Sequence, residues 1–273
     1  MNKTFKKVFA KAKSENRACF VAFVTGMDPD YESSKEILIE LSNYCDVIEV
    51  GVSFNTSTSD SSIIMSANDR AIKSGARTEK IFQLIKEVKN QITNDTAFVT
   101  MGYLNQIHVY GIDRYIKDCK KNGVDGCIVV DSNNDSPEDV QIYKGLDKND
   151  IAYIKLIAPT NDAEYIKQSL KKCSSWIYVV SYAGVTGTKD VNLENVKRLV
   201  KMIRKKSKIP IGVGFGIKTL DNVKSVSKLA DLTVCGSSIV NKIKEGHQNG
   251  LSGKNLGKFV GDYVKNLSEG VKL

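Results

Sequence analysis

Residues 19–51 read CFVAFVTGMDPDYESSKEILIELSNYCDVIEVG, and this stretch contains the repeating unit of the fold. Two short apolar runs, CFVAFVT and DVIEVG, flank a polar segment in which Ile37, Leu38 and Leu41 recur at helical spacing. A strand, a helix and a second strand in this order require a parallel pair with a right-handed crossover. The stretch therefore predicts a βαβ unit.

The same alternation continues along the chain. The apolar runs predict eight strands, namely CFVAFVT from 19, DVIEVG from 46, TAFVTM from 96, DGCIVVD from 125, AYIKLIA from 152, WIYVVS from 176, PIGVGF from 210 and DLTVCG from 231. Amphipathic segments separate them, so the simplest closure is an α/β fold of the (β/α)8 TIM barrel type. The alternative is an open doubly wound sheet, which the absence of a GxGxxG fingerprint disfavours.

Segments at both ends extend this pattern. Apolar residues at helical spacing, among them Phe5 and Val8, predict an extra N-terminal helix that plugs the amino-terminal mouth of the barrel. A glycine-rich stretch splits the last helix into a short helix from Ser238 and a final one from Leu256. No segment has the composition of a linker, so we expect residues 1–273 to form a single TIM-barrel domain.

The composition excludes several classes of protein. The six cysteines form no CxxC pair, which argues against a disulfide framework or a zinc site. No apolar run reaches the roughly 18 residues of a membrane span, and the start lacks a signal peptide's apolar core. The net charge of +9 comes from dispersed lysines without aromatic platforms for bases. We therefore expect a cytoplasmic protein that binds neither membranes nor nucleic acid and attracts a small anionic substrate.

Glu49 is a polar residue within an apolar run, near the carboxyl end of the second predicted strand. If Val47 and Glu49 face inward, Ile48 and Val50 pack outward against helices, and the carboxyl group enters the mouth of the barrel. A low dielectric there would raise its pKa and prepare it for proton transfer near neutral pH. The alternative is a carboxylate that meets solvent at a strand end.

Asp60 lies in the polar loop after this strand, among Ser and Thr residues that would keep it ionised. Two carboxyl groups in contrasting surroundings can divide their roles, one transferring protons and the other stabilising positive charge. The alternative is an Asx turn or a helix cap before the segment that begins at Ser61.

Glycines cluster after the last three predicted strands, as GVTGT at 184–188, GFG at 214–216 and GSS at 236–238. Glycine lets the backbone approach an anion closely, and a helix that begins near Ser237 directs N–H groups towards it. The loops after strands seven and eight form a phosphate site in many barrels. The three glycine sets together predict phosphate binding.

Other candidate residues carry weaker signals. Tyr178 could line an aromatic substrate pocket, whereas Trp176, two residues nearer the amino-terminal end, is interpreted as packing. His108, expected in the loop after strand three, and His247 have no partners arranged as a triad or a metal site.

The order and spacing of the motifs resemble the α subunit family of tryptophan synthase from the first helix to the last. The motifs are FVTGMDP at 23–29, IEVG at 48–51, Asp60 eleven residues beyond Glu49, MGYLNQI at 101–107, GIDRYIKDCKKNGVDG at 111–126, IAPT at 157–160, SYAGVTGT at 181–188, VGFGI at 213–217 and CGSSIV at 235–240.

The resemblance implies a lyase that cleaves indole-3-glycerol phosphate to indole and glyceraldehyde 3-phosphate in tryptophan biosynthesis. It implies no metal or organic cofactor, and a β subunit as partner in an α2β2 heterotetramer. Glu49 matches the family's acid and base, Asp60 the carboxylate that accepts the indole N–H, and Tyr178 a tyrosine of the catalytic pocket. The other implied residues are Phe23, Tyr103, Thr186 and Phe215 for the substrate and Gly187, Gly216, Gly236 and Ser237 for the phosphate.

The chain departs from the family in the loop that carries Asp60. Residues 53–62 read SFNTSTSDSS, where the family has PFSDPxADGP, so the prolines and an aspartate that contacts the β subunit are absent. Residues 131–133 likewise read DSN in place of a D-(L/V)-P turn. Without proline, ordering a loop costs roughly 0.4 to 1 kcal/mol more at each site. We therefore expect the isolated chain to be a weak lyase. Either its β partner carries matching changes or the two chains communicate weakly.

Two other functions stay open from the sequence. One is a catalytically impaired regulatory subunit that binds a phosphorylated ligand and activates a β subunit. The other is a barrel that uses the same phosphate site on a different substrate. The presence of both Glu49 and Asp60 favours the active lyase.

Overall fold

The structure is a computed structural model that describes residues 2–55, 60–181 and 191–273. Within these ranges the strands are β1 (Cys19–Thr25), β2 (Val47–Gly51), β3 (Ala97–Gly102), β4 (Gly126–Val129), β5 (Ala152–Ile154), β6 (Leu156–Ile157), β7 (Ile177–Val180), β8 (Ile211–Gly214) and β9 (Leu232–Cys235). Each of the eight predicted runs contains a strand, and the fifth run is divided into β5 and β6 at Lys155.

The strands form one parallel sheet in the spatial order β5-β4-β3-β2-β1-β9-β8-β7-β6. Its outer strands, β5 and β6, follow one another in the chain, so the sheet curves into a nearly closed barrel. The predicted TIM barrel is confirmed.

The helices of the described residues surround this sheet. They are α1 (Lys3–Ser14), α2 (Tyr31–Ser42), α3 (Ser62–Lys73), α4 (Thr78–Lys89), α5 (Leu104–Tyr110), α6 (Ile112–Lys121), α7 (Pro137–Lys148), α8 (Ala163–Lys172), α9 (Leu193–Arg204), α10 (Leu220–Ser227), α11 (Ser237–Gln248) and α12 (Gly253–Ser268), followed by a 3-10 turn, Glu269–Val271. Among these described helices, none has both the length and the apolar character that a membrane crossing requires.

The helix α1 closes the amino-terminal end of the barrel, as the sequence predicts. Its residues Phe5, Val8 and Ala12 are buried and belong to the same apolar cluster as the inward-facing residues Val21 and Val47. An amphipathic helix placed over an open barrel end removes that end of the core from water.

The last helix is split, although its two parts differ from the prediction. The helix α11 begins at Ser237 and has twelve residues, so it is not short, and α12 begins at Gly253 rather than at Leu256. Gly246 lies within α11 and faces α12. A methyl group at this position would collide with the Leu256 side chain, so the glycine permits close packing of the two helices.

The segment after β3 is helical, and it places His108 in α5 rather than in a loop. Gln106 closes the first turn of α5, since its side-chain oxygen accepts a hydrogen bond from the backbone N–H of Tyr103 at 3.1 Å. Gly111, with a φ of 92°, separates α5 from α6.

Side chains alternate between the two faces of the barrel wall, and β2 shows the predicted orientation. Ile48 and Val50 belong to the apolar cluster under the helices, whereas Val47 belongs to the cluster inside the barrel. Glu49 shares the inward face with Val47 because the side-chain period of a strand is two residues. This parity places a carboxyl group inside the barrel.

Candidate active site

A cavity opens at the carboxyl ends of the strands, and it brings most of the sequence-predicted site residues together. The predicted residues that line it are Phe23, Glu49, Asp60, Tyr178, Phe215, Gly216, Gly236 and Ser237, and the other lining residues are Ile64, Met101, Ile217, Lys218 and Val234. Eight residues from distant parts of the chain therefore share one concave site.

Glu49 lies in the middle of β2, beside Phe23 of β1 and Val99 of β3 in the register of the sheet. Its side chain is completely buried, and neither carboxyl oxygen has a hydrogen-bond partner among the described residues. Burial raises the pKa of Glu49 to about 8, because a low dielectric disfavours the charged form. A carboxyl group with this pKa can both donate and accept a proton near neutral pH.

Asp60 lies just before α3 and faces the same cavity. One of its carboxylate oxygens accepts a hydrogen bond from the Asn68 side-chain amide at 3.4 Å. Ser61, not Asp60, caps α3, since the Ser61 hydroxyl accepts from the backbone N–H of Ile64. The helix-cap interpretation of Asp60 is therefore wrong, and its carboxylate faces the cavity.

Tyr178 lies on the inward face of β7 and contributes an aromatic wall. Its ring centroid is 6.1 Å from that of Phe215, in an edge-on arrangement, and 5.5 Å from that of Trp176. A methyl group on Gly214 of β8 would collide with the Tyr178 hydroxyl, so glycine makes room for this side chain. Burial, and then the nearby Glu49, raise the pKa of Tyr178 well above its usual range, so the hydroxyl stays protonated.

The opposite end of the cavity is suited to an anion. Phe215 and Gly216 have successive positive φ values of 72° and 77°, which turn the chain sharply after β8. Gly236 precedes α11, and no side chain caps the start of that helix, whose first residue, Ser237, lines the cavity. Backbone N–H groups and the positive end of the helix dipole favour negative charge there.

Some predicted residues do not line the cavity. Tyr103 is buried against Phe54, with ring centroids 5.1 Å apart, so it supports the start of the Asp60 loop rather than the cavity wall. Thr186 and Gly187 lie outside the described residues.

Sequence reasoning missed several residues of the site. Ile64 and Met101 add apolar surface, and Lys218 adds a positive charge next to the glycines of the anion end. The position of Lys218 directly after the GFGI motif is the one local signal that could have identified it. Asn68 lies eight residues beyond Asp60 and gave no signal, because its contact depends on how α3 packs.

The described residues also contain no group of three or more His, Cys, Asp or Glu side chains that could hold a metal ion. The expectation that the site uses no cofactor stays a prediction.

Comparisons with known proteins agree with this fold. A family model described as tryptophan synthase alpha chain matches residues 9–265. The structure of tryptophan synthase from Mycobacterium tuberculosis has a TM-score of 0.88 and 24% sequence identity, covering 100% of both chains. Tryptophan synthase subunit alpha from Legionella pneumophila has a TM-score of 0.88 and 25% identity, covering 99% of this chain and 98% of that one. The family match supports a lyase role in tryptophan synthesis.

Proposed function

Because the chain belongs to the tryptophan synthase alpha chain family, we propose that it cleaves indole-3-glycerol phosphate to indole and glyceraldehyde 3-phosphate. The observation that carries this proposal is the buried, unpartnered carboxyl group of Glu49, which shares one cavity with Asp60 and the anion end. A fold tolerates an unsatisfied buried carboxyl group where a ligand completes its hydrogen bonds.

In the proposed reaction Glu49 donates its proton to the indole ring carbon that bears the glycerol chain. The ring becomes cationic, and Asp60 stabilises it by accepting a hydrogen bond from the ring N–H. The hydroxyl group next to the ring then returns a proton to Glu49 while the carbon–carbon bond breaks and its electron pair returns to the ring. Glu49 ends the cycle protonated, as it began, so protons and electrons balance.

The other lining residues orient the substrate for this step. Phe23 and Phe215 with Tyr178 offer aromatic surface for the indole ring, and the backbone of Gly216 and Gly236 offers space for the phosphate. Binding the phosphate at one end holds the reacting carbon near Glu49, which lowers the entropic cost of reaction.

We also propose a β subunit as partner, in an α2β2 complex in the cytoplasm, and one domain over residues 1–273. The family membership supports a β partner. The alternative of an impaired regulatory subunit finds no support among the described residues, because both carboxyl groups remain in the cavity.

The test measures indole released from indole-3-glycerol phosphate by the purified chain, with and without a β subunit. Glu49→Gln removes the transferable proton at nearly constant volume, so we expect it to lower kcat by about 100- to 10,000-fold. Glu164→Gln, an exposed change on α8, is the matched control and should leave kcat unchanged.

Indole formation by Glu49→Gln at the rate of the unmodified chain would refute the role of Glu49. No indole from the unmodified chain under any condition, together with stimulation of β activity, would establish the regulatory alternative instead.

A further inference from the structure

Asn68 contacts the chain on both sides of residues 56–59, at Phe54 and at Asp60. It lies on α3 and is 5% exposed. Its side-chain nitrogen donates hydrogen bonds to the backbone carbonyl of Phe54 at 3.2 Å and to the Asp60 carboxylate at 3.4 Å. One buried amide group therefore holds the second acid against the segment that leads into its loop.

The helix that carries Asn68 is itself fixed to the barrel. Arg70, one half-turn further along α3, donates two hydrogen bonds to the buried Asp28 carboxylate, at 2.7 and 2.8 Å. Arg70 also bonds the Ser66 hydroxyl at 3.0 Å. A bidentate arginine–carboxylate pair imposes a defined geometry, so the Asn68 amide is presented from a rigid support.

The acceptor side is also fixed. The Phe54 ring packs against Tyr103, and the Gln106 amide donates hydrogen bonds to the carbonyl groups of Ser53 at 2.9 Å and Val52 at 3.3 Å. The backbone carbonyl group of Phe54 is therefore held in place independently of Asn68. Asn68 adds the connection from this fixed segment to the catalytic carboxylate.

The sequence between these contacts lacks the prolines that would restrict its backbone. The hydrogen bond from the Asn68 side chain on α3 restricts the orientation of the Asp60 carboxylate directly. We propose that Asn68 is a positioning residue that aims the Asp60 carboxylate at the N–H of the substrate's indole ring. This inference rests on the proposed function, because it assigns Asp60 the ring nitrogen as its target.

The first test is kinetic. Asn68→Ala removes both hydrogen bonds, one of them to a charged group, so we expect kcat to fall about 10- to 100-fold with a smaller change in KM. The effect falls on kcat because Asp60 interacts most strongly with the ring when the ring is cationic. Asn68→Ser, which keeps a small polar side chain, should behave in the same way and provides a second variant if the first folds poorly.

The matched control is Asn134→Ala. Asn134 is also buried, and its amide also donates two hydrogen bonds, to the Ser169 hydroxyl at 2.8 Å and to the Tyr165 carbonyl at 3.3 Å. We expect this variant to lose thermal stability like Asn68→Ala while its kcat stays unchanged. An equal fall in kcat in both variants would overturn the proposal, because the effect would then be a general loss of structure.

A double-mutant cycle with Asp60→Asn separates positioning from stability. If Asn68 acts through Asp60, Asn68→Ala lowers kcat in the unmodified chain but has no further effect in Asp60→Asn. Independent, multiplicative losses would overturn the proposal.

A binding measurement distinguishes failure of this inference from failure of the proposed function. The probes are indole carrying a 3-propyl phosphate chain, which cannot be cleaved, and the same compound methylated at the ring nitrogen. We expect Asn68→Ala to weaken binding of the N–H probe about two- to threefold, less than the fall in kcat because the neutral ring interacts with Asp60 less strongly than the cationic ring, and to leave binding of the methylated probe unchanged. If the unmodified chain and Asn68→Ala bind the N–H probe with equal affinity, the role of Asn68 alone is overturned. If the unmodified chain does not bind the probe, the proposed function is overturned and this inference with it.

Discussion

Glu49 and Lys155 are both buried, ionisable side chains in the barrel wall, and their surroundings are opposite. Glu49 faces the inside of the barrel, and neither of its carboxyl oxygens has a partner among the described residues. Lys155, 1% exposed, lies between β5 and β6 on the side of the wall that faces the helices. Its ammonium group bonds the Ser132 hydroxyl at 2.6 Å, Asp139 at 2.8 Å and the Tyr153 hydroxyl at 3.4 Å.

The network around Lys155 is closed by further contacts. Asp139 is fully buried and accepts hydrogen bonds from Tyr153 at 2.5 Å and from Lys172 at 2.8 Å as well as from Lys155. Burial would raise the pKa of Asp139, but the hydrogen bonds from Lys155 and Lys172 outweigh it and lower that pKa. Lys172 also bonds the backbone carbonyl of Asn134, so the network fastens the loop after β4, where the sequence lacks the family's proline turn.

The difference shows how the structure separates a structural buried charge from a reactive one. Every polar group of the Lys155 network that bears charge is paired, which is the condition for burying charge without a large penalty. Glu49 has no partner among the described residues, and burial raises its pKa. Unsatisfied groups of this kind mark sites where stability is sacrificed for chemistry.

The largest expected effect concerns the pH dependence of stability. The folded chain holds the Glu49 proton up to a pKa of about 8, whereas the ordinary value is 4.5, so folding binds a proton between these limits. The stabilisation is complete below pH 4.5 and is lost as the pH rises through about 8, at up to about 1.4 kcal/mol per pH unit. Across the whole window the loss is on the order of 5 kcal/mol.

Glu49→Gln cannot ionise, so the excess of its free energy of unfolding over that of the unmodified chain should grow from pH 5 to about pH 8 and level off above it. Urea denaturation at several pH values measures the difference, and Glu164→Gln is the control that should keep the original slope. Parallel pH profiles for the unmodified chain and Glu49→Gln would show that Glu49 is not buried and unpartnered as described.

Removal of the lysine from the paired network should have the next largest effect. Lys155→Ala leaves Asp139 buried with Lys172 as its remaining cation, so we expect the free energy of unfolding to fall by about 3 kcal/mol, the lower end for a broken buried pair. Urea denaturation measures this loss, and the kcat of the folded fraction should be unchanged. Lys167→Ala, an exposed change on α8, should cost less than about 0.5 kcal/mol. A lower kcat for the folded fraction of Lys155→Ala would show that this network takes part in the reaction.

The smallest expected effect comes from one neutral partner of the network. Tyr153→Phe removes the hydrogen bond to Asp139 and the longer one from Lys155. We expect a loss of about 1.5 kcal/mol, because Asp139 keeps its bonds from both lysines. Thermal unfolding of this variant is compared with that of Tyr143→Phe on α7, whose hydroxyl has no hydrogen-bond partner among the described residues and should matter little. No difference between the two variants would mean that the Tyr153 bond adds nothing to stability.

Much of the fold was predictable because it depends on periodicity. The alternation of apolar runs and amphipathic segments predicted the barrel and the inward face of Glu49, and both are confirmed. Helix ends were less predictable. The helix α12 begins at Gly253, whose backbone N–H donates a hydrogen bond to the Ser33 hydroxyl of α2 at 2.9 Å, a contact that no local pattern shows. The segment around His108 was misjudged as a loop because its helix depends on the Tyr103–Gln106 cap.

The site divides in the same way. Glu49, Asp60, Tyr178 and the glycines after β8 and β9 were identified from the sequence, and the cavity brings them together. Tyr103 was assigned to the substrate but packs against Phe54. Asn68 was not identified, since an asparagine on a helix gives no local sign of the carboxylate it will meet.

The sequence alone determined where strands and helices alternate and which strand residues face inward, because side-chain periodicity is a property of neighbouring residues. Only the tertiary structure decided which buried charges are paired. Lys155 meets Asp139 and Ser132 across 16 and 23 residues of chain, and Asn68 meets Asp60 through the packing of α3. The distances between helices and strands determine which polar groups can form hydrogen bonds, and these distances are set only when the barrel closes.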